Sequence, residues 1–193
     1  EWRFDTLIVD EGQDFEDNWL EMLEIFLAEE HNLLWLDDPD QNIYDRATIE
    51  PPIGTRYQYD INYRTPESIA RFVKRNFPFQ FETGAELPGL GTGITRWTKA
   101  SDQPRLASKI ISQLRTMGFG YDDIVVLTTR GIQNSTLSPL DRLGPHRLRR
   151  FSGDYDMFGN QVYSDGQLLF ESVYRFKGQQ APAVLLVDVD PKP

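Results

Sequence analysis

Across 193 residues the chain is 39% hydrophobic and 12% aromatic, enough to bury a core in one domain or two small ones. Its net charge of −10 argues against a dedicated nucleic-acid-binding module, while leaving room for a local basic groove, because field strength depends on distribution as well as on the sum. The absence of cysteine excludes disulfides and thiolate metal sites and fits a reducing cytoplasm; the two histidines, His31 and His146, stand too far apart in sequence to suggest a zinc site.

No apolar run approaches the ~18–20 residues that span a bilayer, and no signal peptide heads the chain, so a soluble cytoplasmic protein without membrane partners is expected. The opening residues, EWRFD, lead within five positions into a strand, and there is no initiator Met. That beginning reads as a fragment of a longer protein.

TLIVD, Thr6 to Asp10, has the continuous apolar character of a strand buried on both faces. The next segment, DNWLEMLEIFLAEE, places Trp19, Leu20, Leu23, Phe26 and Leu27 at helical spacing, with Asp17 or Asn18 as a cap. NLLWLDD is a second strand, which makes a βαβ unit. Pro51 and Pro52 break the chain, and an extended stretch leads to Thr65 and Pro66, which open a helix bearing Ile69, Phe72 and Val73 on one face. Glycines and prolines from Gly84 to Gly93 mark a loop. RLASKIISQLRTMGF is an amphipathic helix stopped by Gly118. DIVVLTT is a buried strand, STLSPLDRL a short helix and HRLRRFSG a short edge strand. SDGQLLFESVYRFKG and PAVLLVDVD close the chain as strand-like runs. The alternation implies α/β layers.

Ligands of open α/β sheets bind outside the carboxyl ends of the strands. Asp10, Glu11, Asp37 and Asp38 all fall at such ends. Clustered carboxylates repel unless a cation compensates, and Mg²⁺ is commonly held by one or two carboxylates with substrate phosphates supplying other ligands. A neighbouring acid can then accept a proton from water. For Asp14, Glu16 and Asp17, capping of the following helix is the simpler explanation.

The residues at these positions also carry a resemblance. DEGQDF, from Asp10, resembles motif II, the Walker B box, of superfamily 1 DNA helicases of the UvrD/Rep type, commonly D-E-A-Q-D. LDDPDQNIY, from Leu36, resembles motif III. YDINYRTPESI, from Tyr59, resembles motif IV. SVYRFKGQQAPAVLLV, from Ser172, resembles motif V. The four occur in the family's order, while residues 77–165 match only by layout.

The resemblance implies RecA-like parallel sheets flanked by helices, with residues 1–50 ending a first RecA-like domain and 51–193 forming most of a second. It implies an ATP-dependent DNA helicase or translocase, acting with Mg²⁺ and ATP on single-stranded or partly duplex DNA. Asp10 would hold Mg²⁺, Glu11 would be the general base, Gln41 would sense the γ-phosphate, and Arg64 would be an arginine finger across the domain cleft. Tyr63 would stack on adenine, and Lys177 and Gly178 would approach the nucleotide and DNA. Tyr44, Arg147, Arg149 and Arg150 are candidate DNA contacts, although the basic run Arg142 to Arg150 reads more simply as an exposed, charged edge strand. Asp37, Tyr174 and Gln180 depart from the family pattern. No G-x-x-x-x-G-K-[ST] occurs, and the motif VI arginine is absent, so the chain by itself is expected to be inactive as an ATPase. Two other readings compete: a degenerate RecA-like module retained for protein interaction, and a phosphatase-like or response-regulator-like fold using Asp10 and Asp38.

Overall fold

A computed structural model describes residues 3–47, 49–50, 54–79, 81–84 and 87–189. The chain divides into two compact units, Glu1–Gly93 and Ile94–Pro193. The division falls in the glycine-rich loop, and residue 50 lies inside the first unit. The break at Pro51 and Pro52, part of the loop at Ala85 and Glu86, and Asp190 of the last run lie outside the described residues.

In the first unit, β1 (Phe4–Val9) and β2 (Leu27–Trp35) form a parallel ladder around α1 (Asp17–Glu24), a βαβ unit. The register runs Leu7↔Leu33, Ile8↔Leu34 and Val9↔Trp35, with an irregularity near Phe4, which pairs with Leu27 while Thr6 pairs with Asn32. Here α1 is shorter than its apolar spacing implies. Phe26 and Leu27 continue the helical pattern, but the Phe4 amide donates to the Phe26 carbonyl at 2.9 Å and Leu27 starts the strand. Pairing with β1 overrides the local pattern. Nor is β1 buried on both faces. Val9 on the strand and Leu20 on α1 are buried, whereas Ile8 is 62% and its cross-strand partner Leu34 50% exposed. The unit also holds a second two-stranded parallel ladder, β3 (Ile61–Asn62) with β4 (Glu82–Thr83), and α2 (Glu67–Asn76) between them.

The second unit is built on a five-stranded sheet. Its strands are β5 (Ile124–Thr128), β6 (Arg142–Leu143), β7 (His146–Arg149), β10 (Leu168–Ser172) and β11 (Ala183–Val187), in the order β11-β5-β10-β7-β6. A separate antiparallel hairpin, β8 (Phe151–Tyr155) with β9 (Gln161–Tyr163), stands beside it. Helix α3 (Gln103–Thr116) buries Ala107 and Ile111 with Ile124, Val126, Leu148, Leu168 and Phe170 in one core. Gly118, at φ 101, ends it as the sequence implies.

The RecA-like architecture is not formed. The sheets are small and mixed: β6 runs antiparallel to β7, the β8–β9 hairpin is antiparallel, and among the described residues the first unit has only two-stranded ladders. The helical cover is equally sparse. Four α-helices are present among the described residues, and α4 (Val173–Phe176) is one turn. The reason lies in the connections. Residues 129–167, between β5 and β10, form a 3-10 turn at Ile132–Asn134 and short strands rather than a covering helix, so the short helix expected at STLSPLDRL is replaced by turns. HRLRRFSG is split at Arg150 into β7, which is internal, and β8; the sheet edge is β6. On β6 and β7, Arg142 and Arg147 stand directly opposite each other. No helix among the described residues is long and apolar enough to cross a membrane.

Two buried polar groups organise this unit. Asp188, fully buried and in the left-handed region at φ 57, accepts hydrogen bonds from Thr128 Oγ1 (2.8 Å), Ser135 Oγ (2.6 Å), Thr136 N (3.1 Å) and Gln103 Nε2 (3.3 Å). Its own amide donates to Gln103 Oε1 at 2.9 Å. Burial pushes the carboxyl pKa up, but the hydrogen bonds from Ser135, Thr136 and Thr128 outweigh it and hold the group below the usual carboxylate range. His146, also buried, bridges Ser112 Oγ and Tyr121 OH, each at 3.0 Å. Because Ser112 already donates to the Ser108 carbonyl, Nε2 carries the imidazole proton and Nδ1 accepts from Tyr121. Burial chiefly, with Arg115 nearby, lowers the His146 pKa from 6.5.

Two outcomes follow for stability, both read from urea unfolding by circular dichroism. Asp188→Ala leaves four donors without their acceptor and puts at positive φ a residue that enters that region less readily than Asp or Asn, and is expected to cost about 3 kcal/mol or more; Asp188→Asn, which tolerates that backbone and keeps one acceptor oxygen, should cost clearly less. Equal losses would remove the carboxylate from its organising role. The depressed Asp188 carboxyl contributes stability that is present above its unfolded pKa and lost as pH falls through the folded one. For His146 the folded pKa is lowered, so its contribution is present above 6.5 and declines as pH falls from there toward the folded value. Between about pH 8 and pH 5, His146→Gln should therefore flatten the decline in urea midpoint seen with the unaltered chain.

Candidate functional site

The site lies in the first unit, where β1 and β2 end side by side. The ladder continues one step past the strands: Leu36 N donates to the Val9 carbonyl at 2.9 Å, and Gly12 N to the Leu36 carbonyl at 2.8 Å. Asp10 and Glu11 therefore leave β1 next to Asp37 and Asp38 leaving β2. Glu11 adopts the left-handed region (φ 56, ψ 42), which a non-glycine residue enters at a cost of about 1–3 kcal/mol and which clusters at functional positions. It precedes a 3-10 turn at Gly12–Asp14.

The sequence pattern includes Gln13 without assigning it a role, and the structure makes it the link. Buried, it donates from Nε2 to Glu11 Oε2 at 2.6 Å and accepts the Asp38 amide at Oε1 at 2.9 Å. Asp38 then caps the turn Pro39–Gln41, accepting the Asp40 amide at 3.1 Å and Gln41 Nε2 at 2.6 Å. A continuous chain, Glu11–Gln13–Asp38–Gln41, thus spans the two strand ends. A buried amide two residues after an acid at a strand end, able to donate and accept at once, is the signal by which Gln13 could be found. Asp10 is exposed, and its carboxylate accepts the Glu11 amide at 3.0 Å.

Gly12 has a packing cause. A Cβ there would overlap the indole of Trp35, which also meets Phe15 edge-on at 5.4 Å and donates to Asp37 Oδ2 at 3.3 Å. Glycine at the position where the resembled motif commonly has alanine goes with the large residue at 35.

The remaining candidates are placed as follows. Tyr44 lies in a turn held by Asn42, which exchanges hydrogen bonds with the backbone of Arg46; the Arg46 guanidinium sits 5.3 Å from the Tyr44 ring and 5.0 Å from Trp19. Arg64 falls in the same unit as Glu11. Asn62 Oδ1 accepts the amides of Arg64 and Thr65, which fixes the backbone, while the Arg64 side chain is exposed and makes no hydrogen bond or ion pair among the described residues. Tyr63, also exposed, lies against Gly84, where a Cβ would strike its ring. Lys177 and Gly178 belong to the second unit, at the end of α4, where Gly178 turns the chain at φ 77. Arg150 is a structural residue: its guanidinium donates to the carbonyls of Leu137, Ser138 and Leu140 and sits 5.1 Å from the Phe170 ring. Arg147 is exposed, and Arg149 lies 5.7 Å from the Tyr163 ring.

No group of three or more His, Cys, Asp or Glu side chains converges among the described residues. The exposed Asp10 carboxylate at a strand end, with Glu11 beside it, instead fits a Mg²⁺ carried by phosphates and held through a single carboxylate. No protein-family model and no curated protein matches the chain.

The Gly12–Trp35 contact gives a direct test. Gly12→Ala should destabilise the first unit by about 1–3 kcal/mol, and the double variant Gly12→Ala/Trp35→Leu should lose less than the two single changes combined, as neighbours sharing one space do. Strict additivity in urea unfolding would show that the indole does not set the residue at 12.

Proposed function

We propose that the chain is part of an ATP-dependent DNA helicase or translocase. The observation that supports this most is the hydrogen-bonded chain Glu11–Gln13–Asp38–Gln41 across the ends of two parallel strands. It joins the acids of the DEGQDF stretch to the glutamine of the LDDPDQNIY stretch, so a change at one is felt at the other. In this reading Asp10 holds Mg²⁺ and Glu11 accepts the proton of the attacking water. Gln13 fixes the direction in which the Glu11 carboxylate points, and the left-handed backbone turns it away from the strand axis. Gln41 reports the state of the site through Asp38. Arg64, fixed in its backbone by Asn62 and open in its side chain, supplies positive charge to a transferring phosphoryl group, and Tyr63 stacks on the base. Mg–ATP, when bound, supplies the polarised phosphoryl group. Lys177 and Gly178 couple nucleotide and DNA, and Tyr44 contacts DNA.

The second reading, a module retained for protein interaction without ATP hydrolysis, draws on the exposed Ile8–Leu34 face and the departures at Asp37, Tyr174 and Gln180.

The test is single-turnover ATP hydrolysis with saturating single-stranded DNA, in a protein that joins this chain to a phosphate-binding loop. Glu11→Gln should lower kcat by about 10²–10⁴-fold with little change in nucleotide affinity, and Arg64→Ala by about 10³-fold. A Glu11→Gln rate within about threefold of the unaltered protein would overturn the assignment in favour of the interaction module. The 193-residue chain alone should hydrolyse no ATP above background.

A further inference from the structure

The hairpin β8–β9 serves no purpose in the site above, yet it has an unusual surface. Phe151, Tyr155 and Tyr163 gather on it, with Phe151 5.4 Å from Tyr155 and 6.1 Å from Tyr163, both edge-on. Two arginines flank them: Arg175 lies 3.9 Å from the Phe151 ring and Arg149 5.7 Å from the Tyr163 ring. Tyr155 is 58% exposed, so this is not a core cluster. The arrangement is also preorganised. Arg175 is held by Glu171 at 3.1 Å and by the Tyr155 hydroxyl. At the tip, the Asp156 carboxylate accepts the amides of Phe158 and Asn160 and the Asn160 side-chain amide, all at 2.8–2.9 Å. That closed turn presents Phe158, 82% exposed.

The charge around the hairpin differs from the rest of the chain. Residues 130–175 carry six arginines against five acids, so the net charge of −10 lies entirely outside them. Two of those five acids, Asp154 and Asp156, lie on the hairpin, where Asp156 is engaged by its own turn, and Glu171 is paired with Arg175. Phe151 and Arg175 also line an open cleft of about 450 Å³ with Gly131, Asn134 and Ser172, which extends the surface.

Aromatic rings on an exposed hairpin, with guanidinium groups against them and in a stretch without the chain's excess of acid, match one ligand chemistry: an unpaired polynucleotide whose bases stack while its phosphates meet guanidinium groups. We propose that the β8–β9 hairpin is a stacking platform for single-stranded nucleic acid, with Tyr155 as the principal base-contacting residue and Arg149 as the phosphate contact. This rests on the nucleic-acid part of the function proposed above and is independent of ATP hydrolysis. The row of stacked rings and guanidinium groups is sequence-tolerant, because every base offers a π-face.

The test is fluorescence anisotropy of the 193-residue chain, without nucleotide, against labelled oligothymidylate and oligouridylate of about 20 residues at low salt. Binding that weakens with salt is expected. Tyr155→Ala should weaken it at least about tenfold, Tyr155→Phe should retain it, and Arg149→Ala should lower the salt dependence. Arg142→Ala, off the platform, should change little. Equal binding of both oligomers identifies a general single-strand platform, and preference for one names the polymer. Because Tyr155 stands on a hairpin whose variants could misfold, a second measurement accompanies these: photocrosslinking of 4-thiothymidine DNA to the unaltered chain should map to residues 151–163. No binding by the unaltered chain, unchanged affinity in Tyr155→Ala, loss in Tyr155→Phe equal to that in Tyr155→Ala, full competition by polyglutamate, or crosslinks elsewhere would each overturn the platform. A hydrolysis rate retained in Glu11→Gln, which overturns the assignment above, would leave the platform standing as long as this binding is intact, so the two proposals fail separately.

Discussion

In the second unit, one ionised side chain without water around it sets the arrangement of four segments. Asp188 gathers the end of β5 through Thr128, the following turn through Ser135 and Thr136, and the first turn of α3 through Gln103, while its own backbone ends β11. A buried carboxylate is costly unless every lone pair is answered, and here hydroxyl, amide and side-chain donors answer it. The apolar core of Ile111, Val126, Leu168 and Phe170 gives the sheet and helix their adhesion, but adhesion alone does not fix a register. The polar cluster does, because a slip of β11 by one residue would carry Asp188 away from its donors and put an apolar side chain among them.

The first unit solves a related problem with a neutral group. Four acids leave two adjacent strand ends, and Gln13, which can donate and accept at once, sits between the two sets. Its amide satisfies a carboxylate on one side and a backbone N–H on the other, so no buried cation is needed to hold the strand ends together. The left-handed backbone of Glu11 is the local cost of this placement, and the Gly12–Trp35 contact is what lets the following turn pack close beneath it.

Segments whose pattern and environment agree were legible in the sequence. The runs of β5 and β11 are apolar, α3 has strong periodicity and a glycine stop, and the strand-end position of Asp10, Glu11 and Asp38 followed from the runs before them, whereas the strand-like run SDGQLLFESVYRFKG is strand only as β10 and turns into α4 at Val173. Legibility failed where the decision was made by a distant partner. Phe26 and Leu27 continue a helical spacing, yet β1 claims them for a strand. Arg150 reads as a surface charge in a basic run, but the carbonyls that it satisfies come from residues 137–140, a loop without its own pattern. The RecA-like architecture was inferred from motifs at strand ends. Motifs specify ends and not the helices between them, and the connections of this chain supply short strands and turns instead. The glutamine link was hidden for the same reason: the second partner of Gln13, the Asp38 amide, comes from the other strand end, 25 residues away.

The facing pair Arg142 and Arg147 bears on how this protein behaves at high concentration. Strand β6 ends the sheet with unanswered backbone groups, the kind of border on which a foreign strand can grow. Like charges opposite one another weaken the pair that carries them, by the same order as a good cross-strand contact strengthens one. They also repel a second copy of the same border, since any edge-to-edge approach brings four guanidinium groups together before a single interchain hydrogen bond forms. The opposite border, β11, carries half-exposed Val184 and Leu186 and, among the described residues, no facing pair of like charges. Growth of ordered aggregates from this unit would thus be polar, starting at β11 and stopping at β6, and a small local instability in one hairpin would limit assembly to one end.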